Sequence, residues 1–373
     1  MRKVVAWMLV LVLAMGTLTA CGSTDGGSTD KGATTKEEGT KEGTYEIALV
    51  TDVESIDDKS FNQGAWEGVV EYGEKNDISY NYFRPSEDST ETRIEAIKTA
   101  IDKGAKVVVC PGILFEEAIY TIQKDYPDTM FLLLDGEPHD ADCNYEIAPN
   151  VHCILYQEEQ AGYFAGYAAV KEGYKELAFL GGIDVPVVIR YGYGYIQGAD
   201  AAAKEMNVKV NMKYWYSGSF APTDDIVNKV SGWYTDGTEV VFACGGNTYL
   251  SATQAAEAAE GKIIGVDVDQ SAESDAIITS ATKELTTSVV MALGQLYDND
   301  GTWSTDLGGK TSILGVADDG VGLPTAEGSW RMKKFTVDDY AALFESVKSG
   351  KVTISNNTQA APTTTNVTVD YQN

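Results

Sequence analysis

The sequence predicts an α/β protein of two similar lobes, each a parallel β-sheet that helices cover on both faces. Short apolar runs alternate with helically spaced segments over about one hundred residues that follow position 44. The same alternation repeats over a second stretch of about 110 residues. The last ~100 residues are too few for a third domain of this kind, so we expect the two lobes to share them.

The first series begins with residues 45–51, an apolar run suited to a buried parallel strand. A helix is predicted over 60–74, because Phe61, Ala65 and Val69 recur at helical spacing. The series then continues with strand 79–83, helix 90–103, strand 106–110, helix 115–124 and strand 129–135.

The second series has the same order of elements and begins with a helix rich in small residues. Its predicted elements are helix 157–172, strand 176–180, helix 192–206, strand 208–216, helix 224–235, strand 239–244, helix 249–259 and strand 262–267. The shared remainder contains a helix near 286–297 and strands near 312–316 and 367–371.

Acidic residues stand at the carboxyl ends of several predicted strands, where open α/β sheets bind their ligands. Asp52, Asp135 and Asp267 each end or directly follow such a strand. A carboxylate there needs a hydrogen-bonding partner, and vicinal sugar hydroxyls are suitable partners. The alternative is that each carboxylate caps the following helix or binds loop amides.

The net charge of the chain limits the classes of molecule that it can bind. The 373 residues include 56 Asp or Glu against 28 Lys or Arg, a formal net charge of −28. A surface of this kind lacks the cations that displace counterions from nucleic acid, so a nucleic-acid partner is excluded. Docking on anionic lipid through a basic patch is excluded for the same reason. A neutral ligand is favoured over an anionic one.

The N-terminus predicts a lipid anchor outside the cytosol. Arg2 and Lys3 precede an apolar stretch over 4–18 that is too short for a stable membrane span. Leu18-Thr19-Ala20-Cys21 then resembles the lipobox of bacterial lipoproteins, with Cys21 as the lipidated residue; an ordinary signal peptide with an incidental cysteine is the alternative. Residues 22–43 are almost free of apolar side chains, which predicts a flexible tether. We expect the lipid to be the only membrane anchor.

Four further cysteines and two histidines offer little for metal or redox chemistry. Cys143 and Cys153 flank a short segment and could form a disulfide outside the cytosol, or both could be small unbonded residues. No Cys-x-x-Cys occurs, so no zinc site is expected. Walker A, GxSxG and GxGxxG motifs are absent as well, which argues against an enzyme and against a cofactor.

The segment DVESIDDKSFNQGAWEG at 52–68 strongly resembles the opening motif of the basic membrane protein family, the lipoprotein purine-nucleoside receptors of ABC importers. The likeness continues in order along the chain. It includes FLLLD at 131–135, EQAG at 159–162, LGGIDVP at 180–186, ACGG at 243–246 and GVDVDQ at 265–270. The resemblance implies a periplasmic-binding-protein-like fold of type I, in which two Rossmann-like lobes joined by three crossovers close on the ligand.

The resemblance also implies the site. Matched motif by motif, the ligand-binding residues are Asp52, Phe61, Asn62, Asp135, Phe242, Gly246, Asp267 and Lys283. Phe61 and Phe242 would stack on the base, a sequence-tolerant contact worth about 1–3 kcal/mol per base. Asn62 would pair with the purine edge. The carboxylates would accept bonds from ribose hydroxyls, with Lys283 offsetting their charge.

Some assignments have alternatives. Phe242 lies in VVFA and has a core residue as its alternative, in which case Tyr191 or Tyr193 would supply the second ring. Lys283 reads alternatively as a solvated lysine at a helix start. Glu54 is a departure, because the family usually has a glycine soon after Asp52, and it adds a carboxylate near the mouth of the site.

The sequence therefore predicts a monomeric, lipid-anchored substrate-binding protein on the extracytoplasmic face of a bacterial cell membrane. It would bind adenosine, guanosine or inosine and deliver it to separate ABC permease and ATPase subunits. The same scaffold binding a sugar or another small signal is the first alternative, and a nucleoside-processing enzyme is the second. The predicted division is signal 1–20, tether 21–43, first lobe 44–155 with about 268–315, and second lobe 156–267 with about 316–373.

Overall fold

The computed structural model describes residues 44–52 and 54–372 of the chain. The predicted signal segment 1–20, the tether 21–43 and the lipidation site Cys21 lie outside the described residues. Within the described residues two β-sheets carry helices on their faces. The predicted α/β class with parallel sheets is confirmed.

The strands, in chain order, are β1 (Ile47–Val50), β2 (Tyr80–Phe83), β3 (Val107–Pro111), β4 (Met130–Leu134), β5 (Val151–Tyr156), β6 (Glu176–Gly181), β7 (Val210–Tyr216), β8 (Val240–Cys244), β9 (Lys262–Asp267), β10 (Ile277–Lys283), β11 (Lys310–Leu314), β12 (Val321–Gly322) and β13 (Val367–Tyr371). Their central members are fully buried apolar runs, as expected for parallel strands covered on both faces.

The helices are α1 (Phe61–Asn76), α2 (Thr90–Asp102), α3 (Glu116–Ile122), α4 (Glu158–Glu172), α5 (Pro186–Met206), α6 (Asp224–Thr235), α7 (Thr248–Ala259), α8 (Leu285–Tyr297) and α9 (Val337–Lys348). Among the described residues, none of these helices has both the length and the apolar character needed to cross a membrane.

The two sheets divide the strands between two lobes. The first sheet has the order β11-β5-β4-β3-β1-β2 and all its described pairings are parallel. The second has the order β12-β10-β9-β8-β6-β7-β13, parallel except where β12 pairs antiparallel with β10. The described chain passes between the sheets three times, through α4, through α8 and between β11 and β12.

Several elements differ from those expected. Strands β5 and β10 and helix α9 were not predicted, and α5 begins at Pro186 rather than at 192. Proline at the first helical position explains the earlier start, because its fixed φ suits a helix N-terminus and its missing N–H is not needed there. Helix α9 has a capping box formed by Thr336 and Asp339, a local signal that the sequence does contain.

The predicted division into lobes needs one correction. It placed about 268–315 with the first lobe, but β10 belongs to the second sheet, where it pairs with β9. The reason is that β10 extends the second sheet before the chain crosses back through α8, which packs on α1 of the first lobe; the Thr286 hydroxyl donates to the carbonyl of Gly64 in α1 at 2.9 Å. The other bounds stay a prediction.

Glycines set the distance between helices α4 and α5. A Cβ atom added at Gly166 or at Gly194 would collide with the backbone of the facing helix. The two helices therefore approach backbone to backbone, which only a residue without a side chain allows. Because α4 is the first crossover, this contact fixes the crossover against the second lobe.

Candidate ligand-binding cleft

The carboxyl ends of strands from both sheets face one cleft, as the geometry of open α/β sheets leads one to expect. The three strand-end carboxylates Asp52, Asp135 and Asp267 all contribute to its lining. The cleft contains about 680 Å³ of space free of protein atoms, a figure that includes open solvent at its mouth. Its polar and aromatic lining includes Asp52, Glu54, Asp58, Phe61, Asp135, Tyr191, Phe220, Asp267 and Lys283.

Lys283 is the charged centre of the cleft floor. It ends strand β10 and its side chain is 2% exposed. Its ammonium group donates a hydrogen bond to Asp135 Oδ2 and lies 3.4 Å from Glu158 Oε1 and 3.8 Å from Asp267 Oδ1. The lysine thus joins carboxylates from the first sheet, from crossover helix α4 and from the second sheet. It is not a solvated lysine.

Asp135 and Asp267 occupy similar positions on the two sheets. Each follows or ends a buried strand and has a positive φ, 60° and 67° respectively. Asp267 Oδ2 accepts a hydrogen bond from the Ser60 hydroxyl at 2.7 Å, while Asp135 Oδ1 is buried without a partner in the described part of the chain. An unpaired buried carboxylate oxygen is costly, so a ligand that donates a hydrogen bond there would stabilise the site.

Burial and the charges of neighbouring groups together set the pKa values in this cluster. It raises the pKa of Asp135 to about 7, although the charge of Lys283 acts in the opposite direction. Burial also raises the pKa of Asp267, again against Lys283. For Lys283, burial alone would lower the pKa, but Asp135, Glu158 and Asp267 together raise it. The ammonium is therefore firmly charged at neutral pH.

Glu158 and Arg190 complete the cluster behind the lysine. Glu158 is fully buried at the start of α4, and Arg190 Nε of α5 donates to Glu158 Oε2. Neither residue was among the predicted site residues. Strand ends in the sequence do not point to these two residues, because both lie on helices and act on the cleft through Lys283.

Asp52 is oriented by the N-terminal end of α1. Its Oδ1 atom accepts hydrogen bonds from Asn62 Nδ2 at 2.9 Å and from the Glu54 backbone N–H at 2.7 Å. Asn62 Nδ2 also donates to Asp58 Oδ2 at 3.0 Å, and Asn62 is only 1% exposed. Asn62 does not line the cleft, so the prediction that it contacts the ligand is corrected. Both hydrogens of its amide are used to hold Asp52 and Asp58.

The aromatic faces of the cleft come from Phe61, Tyr191 and Phe220. Phe61 begins α1, and the ammonium of Lys283 lies 4.9 Å from its ring centre. Phe220 follows β7 in the loop before α6 and is partly buried. Tyr191 is 2% exposed and lies 5.3 Å from the same ammonium. Phe61 was predicted and Phe220 was not.

Phe242 is corrected from a stacking residue to a core residue. It lies within β8, is 0% exposed and does not line the cleft. Its ring packs edge-to-face on Phe179 at 5.5 Å and on Tyr191 at 5.9 Å. Tyr191 therefore separates Phe242 from the ligand space, and Tyr193 points elsewhere, its hydroxyl lying 3.4 Å from the Ser355 hydroxyl.

Gly246 lines the cleft beside Phe220, and its contact with a ligand stays a prediction. Its φ is +49°, and the preceding Gly245 has a φ of +144°. A Cβ atom at Gly246 would lie 3.0 Å from Phe220 Cβ. The two glycines thus allow the β8–α7 turn to approach the Phe220 loop.

Cys244, a free thiol, lines this cleft. Among residues 44–52 and 54–372, no group of three or more His, Cys, Asp or Glu side chains is arranged to hold a metal ion. The four cysteines in that part of the chain are free thiols, with Cys143 exposed and Cys153 buried in β5.

Comparison with known proteins agrees with the motifs. A family model described as ABC transporter substrate-binding protein PnrA-like matches residues 46–357. The ABC transporter nucleoside-binding protein BmpA of Lactococcus lactis subsp. cremoris is 26% identical over 282 residues, 72% of this chain and 74% of that protein. Basic membrane protein A1 of Borrelia garinii subsp. bavariensis is 29% identical over 244 residues, 64% of this chain and 69% of that protein.

A solved structure of similar fold is an ABC transporter solute-binding protein from Aeropyrum pernix K1. It superposes with a TM-score of 0.70 over 84% of this chain and 93% of that chain, at 20% sequence identity. At this identity the likeness concerns the fold alone. Together with the family match it confirms both the resemblance inferred from the motifs and the periplasmic-binding-protein-like architecture.

Proposed function

The chain belongs to the PnrA-like family of ABC transporter substrate-binding proteins, and from that premise we propose that its cleft binds a purine nucleoside. Adenosine, guanosine and inosine are the candidates. The protein would act as a monomer on the outer face of a bacterial cell membrane, anchored by a lipid on Cys21. It would deliver the nucleoside to separate permease and ATPase subunits and would not alter it chemically.

The observation that carries the proposal is the separation of polar and aromatic groups within one cleft. Asp135, Asp267 and Lys283 provide hydrogen-bonding and charged groups at the floor, and Phe61 and Phe220 provide aromatic faces. A ribose with vicinal hydroxyls matches the first set, and a purine matches the second. The name of the Lactococcus relative, a nucleoside-binding protein, supports the same assignment.

The carboxylates of Asp135 and Asp267 are suited to accept hydrogen bonds from ligand hydroxyls and would repel an anionic ligand group. Asp135 Oδ1 is buried without a partner in the described part of the chain, so a ligand hydroxyl that donates to it would remove an unfavourable term. Lys283 holds Asp135 and lies near Asp267, which keeps both acceptors in place before the ligand arrives. Preorganisation of this kind lowers the entropic cost of binding.

The base would lie against Phe61 and Phe220. Both line the cleft, one from each lobe, so closure of the lobes would bring them onto opposite faces of a planar ring. In this proposal Phe220 takes the stacking role that the family resemblance implied for Phe242. Stacking discriminates weakly between bases, which is why three purine nucleosides remain candidates.

Mass spectrometry of the small molecule released by denaturing the purified protein tests the proposal. We expect a purine nucleoside. Recovery of a hexose or a peptide would instead support the sugar or signal alternative. Incubation with inosine separates binding from catalysis, because an enzyme would release hypoxanthine and a binding protein returns inosine intact.

The anchor is tested separately from the ligand. Full-length protein produced in a lipoprotein-processing bacterium should partition into the detergent phase of a temperature-induced phase separation, and its Cys21→Ala variant should partition into the aqueous phase. Equal partitioning of the two proteins would contradict lipidation at Cys21.

A further inference from the structure

Glu54 and Asn247 meet across the cleft from opposite lobes. Asn247 Nδ2 donates a hydrogen bond to Glu54 Oε2 at 2.9 Å, and both side chains are partly buried. Glu54 follows β1 of the first sheet, whereas Asn247 follows β8 of the second sheet. The bond therefore joins the two lobes at the cleft itself, and neither side chain was assigned a role in binding.

Asn247 lies at a position where its side chain would ordinarily cap the N-terminus of a helix. It is the N-cap of α7, and an asparagine there usually accepts a hydrogen bond from a backbone N–H of the first turn. The Asn247 side chain makes no such bond. Its amide is directed to Glu54 instead, so the side chain forgoes a local contact for one that spans the lobes.

Each partner is also tied to a wall of the cleft. The Glu54 backbone N–H donates to Asp52 Oδ1 at 2.7 Å. The Asn247 backbone N–H donates to the carbonyl oxygen of Phe220 at 2.8 Å. The pair thus connects the carboxylate of one wall with the loop that carries an aromatic face of the other.

We propose that Glu54 and Asn247 form a clasp that holds the closed cleft and slows the release of bound ligand. A bond between two lobes exists only while the lobes are together, so it favours the closed population. Release from a closed cleft requires opening, and the clasp must break first. Asn247 is accordingly a positioning residue, and the proposal rests on the proposed function only for the identity of the ligand.

Dissociation of inosine, followed by stopped-flow displacement with excess guanosine, tests the clasp. Asn247→Ala should dissociate about 5- to 30-fold faster, a range equivalent to about 1–2 kcal/mol at 1.4 kcal/mol per tenfold. Asn247→Asp should dissociate faster still, because it sets a second carboxylate against Glu54. The double variant Glu54→Gln with Asn247→Asp exchanges amide and carboxylate and should recover slow release.

A matched pair elsewhere provides the control. Asn211 Nδ2 donates to Glu176 Oε1 at 2.8 Å on the exposed surface of the second sheet, with no contact to the cleft. Asn211→Ala should leave inosine dissociation unchanged. The clasp is overturned if Asn247→Asp dissociates no faster than the original protein, or if the exchange variant is as fast as Asn247→Asp alone.

Hydrogen exchange of the ligand-free protein separates this proposal from the identity of the ligand. The backbone amides of Glu54 and Asn247 donate within their own lobes, to Asp52 Oδ1 and to the Phe220 carbonyl, so they report the order of the two cleft walls that the clasp joins. Asn247→Asp should speed exchange at both. If no nucleoside binds the original protein, the proposed function fails while this measurement still decides the clasp. Unchanged exchange at both amides would contradict it whatever the ligand is.

Discussion

Lys283 carries the charge that allows three carboxylates to be buried together. Its removal would leave Asp135, Glu158 and Asp267 without their shared cation. Breaking a buried ion pair by removing one partner typically costs about 3–5 kcal/mol, because the remaining charge stays buried. The residue therefore links the stability of the fold to the presence of the site.

We predict that Lys283→Met lowers the free energy of unfolding by about 3–5 kcal/mol at pH 7 and abolishes nucleoside binding. Urea denaturation with a constant m-value measures the first effect, and calorimetry the second. Lys348→Met is the control, since Lys348 pairs with Asp319 at 2.6 Å on the surface, where ion pairs contribute little. Equal losses in the two variants would contradict the role of Lys283.

Glu159 provides a test of pH dependence. It is 2% exposed, Oε2 has no partner among the described residues, and burial raises its pKa to about 7. The folded pKa lies above the unfolded value near 4.5, so the cost of burying the charge is absent below pH 4.5 and complete above pH 7.

Glu159→Gln should accordingly match the original protein at pH 4.5 and exceed its unfolding free energy at pH 8 by about 3 kcal/mol, from a pKa raised from 4.5 to about 7 at 1.36 kcal/mol per pKa unit. Urea denaturation at the two pH values measures the difference. Glu71→Gln, at an exposed position on α1, should show no such pH dependence. A gain for Glu159→Gln that is the same at both pH values would argue against burial of a titrating carboxylate.

Phe220 and Phe242 should separate binding from stability. Phe220→Leu removes an aromatic face of the cleft and should weaken purine nucleoside affinity about 10- to 100-fold, the equivalent of about 1–3 kcal/mol of stacking. Phe242→Leu changes a buried strand residue and should mainly lower the unfolding free energy. Calorimetry and urea denaturation of both variants measure the contrast, and the opposite pattern would restore Phe242 as the stacking ring.

At the scale of elements, helices α4 and α5 hold the first crossover in place through glycines. Gly166→Ala should destabilise the protein by about 3 kcal/mol or more, because the added Cβ meets the backbone of α5 and neither helix can move alone. Gly232→Ala in α6, where no atom lies within 4 Å of the added Cβ, should stabilise by up to about 1 kcal/mol. Thermal unfolding of the two variants measures the expected loss of stability for Gly166→Ala and the expected gain for Gly232→Ala. A loss of stability in Gly232→Ala would contradict the explanation by free space around the added Cβ.

Most central strands could be predicted because parallel strands covered on both faces are unbroken apolar runs. Strand β10 reads IITSATK and has no such run, since it lies between β9 and β12 near the cleft and carries polar residues there. Only the tertiary pairing makes this segment a strand. Helix α9, by contrast, has a readable capping box that periodicity alone did not reveal.

Strand ends were sufficient to predict which carboxylates line the cleft. They were not sufficient to predict which aromatic side chains point into it. Asp52, Asp135 and Asp267 follow from strand ends, and all three line the cleft. The direction of the Phe242 side chain could not be predicted from VVFAC. Both faces of β8 are buried, so the strand shows no alternation of apolar and polar residues that would distinguish one face from the other. Phe220 lies in a loop, where no periodicity marks which side chains face a ligand.

At the scale of the whole molecule, strand ends of both lobes line one cleft. The chain carries a formal net charge of −28, and its cleft is lined by Asp52, Glu54, Asp58, Asp135 and Asp267 against Lys283. An anionic ligand would meet unfavourable fields both on approach and after closure. The arrangement favours a neutral nucleoside over a nucleotide.

Isothermal titration of the ligand-free protein tests the central claim most directly. Inosine, guanosine or adenosine should bind with one-to-one stoichiometry, inosine 5′-monophosphate should bind at least about 100-fold more weakly, and ribose, arabinose and galactose should give no heat. The neutral 5′-O-methylinosine controls for added bulk and should bind better than the monophosphate. Heat from a free sugar together with none from any purine nucleoside would contradict the account.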